Sequence, residues 1–202
     1  ALEFGFESLE LRRAETDQYG IALALNNLGL LYYKLQDHQI AINYYLESVK
    51  HLRKIRDTTQ LAFNYCNIGL AYNQLGQPTI AISYIDSARE VRGAKSSRTR
   101  LMEFNHGYGE AYNLLHKLDL AAEYFIKSLE LAREVNDSRY QLIALNAIVN
   151  LELKRGNLPL CNQYFGEMDR ILRSNEHKQL RMEIAKQKSA YYARVGKMGN
   201  AY

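Results

Sequence analysis

Apolar residues recur at helical spacing along the whole chain, in pairs of stretches separated by short polar breaks. Leu25, Leu28, Tyr32 and Leu35 fall on one helical face, and Ala41, Tyr44, Tyr45, Ser48 and Leu52 on the next. The breaks "LQDH", "LGQP", "LHKL", "RGNL" and "VGKM" divide each pair. Gly76, Gly156 and Gly196 suit the left-handed residue that ends a helix. Pro78 and Pro159 sit where a second helix begins, a place that tolerates a missing amide proton. Between pairs, Asp57-Thr58-Thr59, the run Ser96 to Thr99 and Asp137-Ser138 supply residues that cap a helix start.

The pattern repeats every forty residues. Gly29, Gly69 and Gly109 align under that shift, as do Tyr32, Tyr72, Tyr112 and Tyr192. A second column holds Ala1, Ala41, Ala81, Ala121 and Ala201, with Cys161 in the remaining place; a third holds Phe4, Tyr44, Tyr84, Tyr124 and Tyr164. A period in this range signals a solenoid of stacked helix pairs. The expected divisions are a half repeat over 1–20, full repeats over 21–60, 61–100, 101–140 and 141–180, and a partial repeat over 181–202. No Pro- or Ser-rich linker interrupts them, so one continuous array is expected.

The residues Leu25, Leu28, Gly29 and Tyr32, followed by Ala41 and Tyr45, resemble the tetratricopeptide repeat pattern. Tyr65, Ile68, Gly69, Tyr72 and Ala81 repeat it, with Ile85 in place of the aromatic; Tyr108, Gly109, Tyr112, Ala121 and Phe125 repeat it again. In the fourth repeat Val149 and Glu152 stand where the pattern has Gly and Tyr, so looser or altered packing is expected there. The forty-residue period is similar to the long repeats of bacterial regulatory proteins and kinesin light chains. The resemblance implies an all-α, right-handed α-solenoid of antiparallel helix pairs that binds protein or peptide segments.

Composition narrows the function. The 26 basic and 22 acidic side chains are interleaved and leave a formal charge of +4, so neither nucleic acid nor a membrane is the expected partner. No apolar run reaches the length of a membrane span, and the start of the chain lacks the layout of a signal peptide. Cys66 and Cys161 read as reduced thiols in a cytoplasmic setting. They sit in different repeats, and Cys66 is expected to be the more reactive. The basic run Arg92 to Arg100 reads as a helix end and turn, where cations complement the dipole.

Catalytic patterns are missing. "NHGYGE" has too few glycines for a phosphate loop, and Gly107 and Gly109 read as packing positions. The histidines His38, His51, His106, His116 and His177 lack metal-ligand spacing. Glu103 and Glu110, seven apart, have no nucleophile beside them. The chain is therefore expected to be no enzyme and to need no cofactor.

In the repeats it resembles, the first helices line a concave wall. Carried over by position, the resemblance implies a peptide-binding stripe of Asn26, Asn27, Tyr33 and Lys34, then Cys66, Asn67, Asn73 and Gln74. Glu103, His106, Glu110 and Asn113 continue it, followed by Asn146 and Asn150, with Lys186 and Arg194 at the far end. A carboxamide both donates and accepts, so it can pair with the backbone of an extended peptide. Asn27 and Asn67, one period apart, are expected on adjacent rungs as backbone clamps. The carboxylate clamp of chaperone-tail-binding relatives does not fit: its places hold Asn26, Leu30, Asn67, Glu103 and Gly107, of which Asn67 alone matches.

The expected partner is a protein or peptide segment, from a separate molecule or from a linked domain, for a sensor or interaction region of a larger regulatory protein. Neither end carries a polar capping repeat, which fits a piece of such a protein. The alternative is a structural scaffold that self-associates through its convex face or open ends. A phosphatase-assisting enzyme would need a separate helical bundle before the repeats.

Overall fold

A computed structural model describes residues 1–92, 97–174 and 177–199, with the backbone alone for some helix residues, Arg194 among them. The described residues form ten helices and no strand: α1 (Leu2–Ala14), α2 (Gln18–Lys34), α3 (His38–Ile55), α4 (Thr58–Gln74), α5 (Pro78–Arg92), α6 (Arg98–Leu114), α7 (Leu118–Glu134), α8 (Ser138–Arg155), α9 (Leu158–Ser174) and α10 (Lys178–Gly199).

Side-chain caps fix where α2, α4, α6 and α8 start. Asp57 caps α4 by accepting from the amides of Thr59 and Gln60, both at 2.9 Å. Asp137 accepts from Tyr140 N–H at 2.9 Å, and Ser97 from Arg100 N–H at 3.3 Å. Asp17 does the same for α2 through Gly20 N–H at 3.0 Å.

The turns inside each pair share one geometry, in which a left-handed residue follows the first helix and the amide after it bonds back. Asp37, Gln77 and Lys117 donate to the carbonyls of Tyr32, Tyr72 and Tyr112, each at 2.9 Å. Glycine takes the left-handed place at Gly76 and Gly156, but Gln36 and His116 adopt it with φ of 66° and 57°. Gly196 does not end a helix: α10 runs through it to Gly199. No proline or capping side chain interrupts the stretch, and one glycine within a helix costs only about 1 kcal/mol.

The packing glycines hold the pairs together. On α2, a Cβ on Gly29 would lie 2.5 Å from the Tyr45 ring; on α6, one on Gly109 would lie 2.4 Å from the Phe125 ring. Ile85 occupies the same seat against Gly69, at 2.7 Å. Tyr45, Ile85 and Phe125 are thereby buried. Beside each seat a tyrosine pair stacks: Tyr32 on Tyr44 at 5.4 Å, Tyr72 on Tyr84 at 5.5 Å, Tyr112 on Tyr124 at 5.4 Å. A serine on the second helix adds a hydrogen bond to the first: Ser48 Oγ donates to the Ala22 carbonyl at 2.7 Å and Ser128 Oγ to the Met102 carbonyl at 2.9 Å.

The fourth pair departs as its sequence implies. Val149 fills the glycine place, and α8 and α9 approach each other less closely than the helices of the other three pairs. Glu152, in the tyrosine place, is buried and accepts from Arg155 and Asn157, both at 2.9 Å.

Successive first helices lie close: α4 touches α6, α6 touches α8 and α8 touches α10, while successive second helices make no comparable backbone approach. The array therefore curves with α2, α4, α6, α8 and α10 on its inner side. A helix of 17 residues, such as α4, gives this wall a height of about 25 Å.

The seats make a direct test. Gly109→Ala should destabilise the fold by about 1 to 3 kcal/mol, because the Phe125 ring must move. Gly166 has nothing within 4 Å of an added Cβ. Gly166→Ala should instead stabilise by about 0.5 to 1 kcal/mol. Urea unfolding of the two variants checks both signs.

Candidate functional site

The inner wall separates into polar groups that join neighbouring rungs and side chains that face outward. Asn67 Nδ2 donates to Asn26 Oδ1 at 3.1 Å, linking α4 to α2. Asn73 Nδ2 donates to the Gly107 carbonyl at 2.9 Å, linking α4 to α6. The Tyr140 hydroxyl reaches Glu103 at 3.3 Å, and Lys154 Nζ donates to Asn113 Oδ1 at 2.9 Å, both between α6 and α8. Asn146 closes the series, donating to Glu183 at 2.8 Å and accepting from Gln187 through its carbonyl at 3.3 Å.

This changes the reading of the carboxamide stripe. Asn26, Cys66, Asn73 and Asn146 are buried between rungs. Tyr33, Asn67, Glu103, His106, Glu110 and Asn113 are half-buried, while Asn27, Lys34, Gln74 and Asn150 are exposed. Asn27 and Asn67 are not equivalent rungs of one clamp, since Asn67 spends its amide on Asn26. The cause is what each meets: the place two residues before the packing glycine faces the preceding first helix, where Asn67 meets Asn26 of α2, whereas among the described residues no first helix precedes Asn27. A Cβ on Gly107 would meet Ile85 at 2.8 Å and Leu70 at 3.2 Å, which makes Gly107 a packing position. Lys186 is exposed, and the side chain of Arg194 lies outside the described residues.

Cys66 is only 1% exposed. Burial pushes its thiol up, and the nearby Glu103 carboxylate adds to that. The expected reactive thiol is thus a core residue, and Cys161 is buried too. In the run Arg92 to Arg100 the side chains before Ser97 lie outside the described residues; Arg98 pairs with Glu134 at 2.6 Å, and Arg100 with Glu103.

The outward stripe lies one and five residues after the packing position. On α2 it presents Leu30 and Lys34, on one face at i and i+4, with the exposed Asn27 one turn before them. Gln74 continues it on α4, Glu110 and Leu114 on α6, and Asn150 and Lys154 on α8. A shallow depression lined by Asn113, Asn150, Leu153, Lys154 and Ala190 bridges α6, α8 and α10. Leu30, Leu114 and Lys154 are absent from the stripe inferred from sequence. The signal for them was position alone: Leu30 stands one residue after a packing position, and Leu114 and Lys154 five after.

The middle of the wall is ionisable. Arg100 lies 4.3 Å above the Phe63 ring and pairs with Glu103. Burial raises the Glu103 carboxyl despite that guanidinium. His106 and Glu110 stand 3.6 Å apart on one helix face. Burial and the Glu110 carboxylate raise the Tyr33 hydroxyl, although Gln74 opposes the shift. Among the described residues, no group of three or more His, Cys, Asp or Glu side chains is placed to hold a metal ion. No helix among them is long and apolar enough to cross a membrane.

Residues 20–94, from α2 to the region after α5, match the tetratricopeptide repeat family. None of the curated proteins searched matches the chain. Among solved structures, aspartyl phosphate phosphatase F from Bacillus subtilis is 16% identical with a TM-score of 0.79, over 96% of this chain and 55% of that one. A Rap protein complexed with Competence and Sporulation Factor is 16% identical with a TM-score of 0.77, over 95% of this chain and 55% of that one. This chain therefore spans little more than half the length of either. A putative kinesin light chain from Podosopora anserina with nearly identical TPR-like repeats is 14% identical with a TM-score of 0.65, over 88% of both chains. These are likenesses of fold. With the family match they show the tetratricopeptide repeat solenoid that the sequence resembles.

Burial raises the hydroxyls of Tyr33, Tyr45, Tyr108 and Tyr140. An acid whose folded value lies above its unfolded one stabilises the fold below the unfolded value, about 10 for tyrosine, and that contribution is lost as pH rises further. The melting temperature should therefore fall as pH passes about 10. Tyrosinate absorbance should develop in two stages, the second coinciding with loss of helical circular dichroism. One complete tyrosine titration with helicity intact would contradict this placement.

Proposed function

We propose that the chain is a non-catalytic binding module that grips an extended protein or peptide segment along its inner wall. The observation that carries this reading is the outward stripe across α2, α4, α6 and α8. Leucines for apolar anchoring alternate there with carboxamides and charges, at the spacing of successive rungs. Such a row offers a peptide backbone both donors and acceptors while its side chains meet separate sites. The fold it shares with a Rap protein complexed with Competence and Sporulation Factor supports the reading, as does the family match.

The chain serves as the interaction region of a larger regulatory or signalling protein. Its span of about half of the phosphatase F and Rap protein chains supports that role. Catalysis is disfavoured by positive features of the wall. The buried thiol of Cys66 is held protonated, and Glu103 already engages Arg100 and Tyr140, so neither is poised as nucleophile or base.

Peptides selected from a random phage-displayed library on this chain, then titrated by fluorescence anisotropy, provide the test. Leu30→Asp combined with Asn150→Ala should weaken binding more than tenfold, with the unfolding midpoint unchanged because both residues are exposed. Lys50→Ala, on the outer face of α3, should leave affinity intact. Unaltered binding in the groove variant, or loss in the α3 variant, would move the site off the inner wall.

A further inference from the structure

The second half of α3 carries a charge that its sister helices do not. Lys50, Arg53 and Lys54, with Arg56 at the cap, stand against one acid, Glu47, which Arg13 of α1 already pairs with at 2.8 Å. Arg53 is engaged too, its guanidinium donating to the Tyr65 hydroxyl at 2.6 Å. Lys50 and Lys54, exposed and one turn apart, make no ion pair among the described residues.

Cations near a helix end complement its dipole, and Arg53 shares that role with Arg133 and Arg173 at the same register. The dipole does not account for the lysines. At the place of Lys50, α5 has Glu90 and α7 has Glu130; at the place of Lys54, α7 has Glu134. Only α9 repeats the sign, through Arg170. On α7, moreover, Glu123 pairs with Lys127 at 2.5 Å and Glu134 with Arg98 at 2.6 Å.

The two lysines border a depression of about 520 Å³ on the outer side of α3, lined with them by Asn43, Leu46, Glu47 and His51. His51 Nδ1 meets Gln18 Oε1 of α2 at 2.9 Å, which holds the ring at one wall. Burial lowers the His51 pKa, and Lys54, Arg13 and Lys50 push it the same way against Glu47. The depression is therefore positive in spite of that carboxylate.

What the face fits follows from its limits. An extended polyanion or an anionic membrane lying across the outer side would also meet the exposed Glu90 and Glu130 of the next two second helices, which repel it. A short chain lying along α3 meets the lysines alone. The half-buried Leu46 offers such a chain an apolar contact that a sugar-phosphate backbone has no side chain to use.

We propose that the outer face of α3 is a second docking surface, which takes a short acidic segment of a partner protein. Two carboxylates about 6 Å apart meet Lys50 and Lys54, and an apolar side chain rests beside Leu46. Residues four apart in a helix or two apart in an extended chain supply that spacing. The surface lies on the opposite side of the array from the groove, so both can be filled at once.

Fluorescence anisotropy at low ionic strength tests this on the 202-residue chain, with a labelled short peptide of leucines and glutamates and with copies carrying glutamine or lysine in place of each glutamate. The glutamate peptide should bind saturably and weaken as salt rises, and the glutamine copy should bind more than tenfold more weakly. Lys50→Glu with Lys54→Glu should lose the glutamate peptide by more than tenfold and take up the lysine copy instead; both positions are exposed, so helical circular dichroism should be unchanged. The groove variant, Leu30→Asp with Asn150→Ala, should hold the glutamate peptide as wild type does, which separates this outcome from failure of the groove reading. Absence of saturable binding, equal binding by the charge-reversed variant, or single-stranded DNA or phosphatidylserine vesicles held as tightly as the peptide would overturn the proposal.

Discussion

A bulky second-helix side chain seated on a bare stretch of first-helix backbone sets the spacing on which the array depends. Glycine removes the Cβ that would collide with Tyr45, Ile85 or Phe125, and the ring or branched chain then fills the space it leaves. Dispersion over such a contact is small per atom and large in sum, so the seat rewards close approach while the missing Cβ permits it. The stacked tyrosines and the serine-to-carbonyl bonds lie to either side and fix the angle of the pair. Where the seat is lost, at Val149, the helices stand further apart and a buried carboxylate with two donors replaces the tyrosine.

That spacing also decides what the inner wall has left to offer. With first helices brought close, a side chain pointing along the array meets the next rung and must find a hydrogen-bond partner there, since an unpaired buried polar group costs about 1 to 3 kcal/mol. Asn26, Asn67, Asn73 and Asn146 answer this need. Residues a third of a turn away escape the contact, and there the chain places Leu30, Lys34, Gln74 and Asn150, while Lys154 at the same offset bonds Asn113 across the rung. One helical surface thus serves two purposes: carboxamides join rungs, and the adjacent stripe faces what the groove receives.

The helix pairs were legible from sequence because the packing that fixes them is periodic: the glycine, alanine and tyrosine columns recur at the same phase, as do the aspartate caps at Asp57 and Asp137. Gly196 misled because glycine ends a helix only when the chain must turn, and among the described residues none lies within 4 Å of a Cβ added there. The inner wall was half legible. Its membership of the first helices followed from the repeat, but whether a residue is covered depends on which neighbouring rung it meets, which the spacing of residues along one helix does not encode. Asn27 and Asn67 look identical in sequence, yet one is exposed and the other bonds across a rung. Cys66 was misplaced for the same reason.

The division of the wall into joining and outward groups is the central claim, and Asn26 with Asn67 tests it most directly. Unfolding free energies of Asn26→Ala, Asn67→Ala and the double variant form a cycle that isolates their interaction. A bond joining the rungs predicts a coupling of about 0.5 to 1.5 kcal/mol, with the double change costing less than the two single changes together. Strict additivity, with neither single change lowering stability, would contradict the account and return these carboxamides to the open face of the groove.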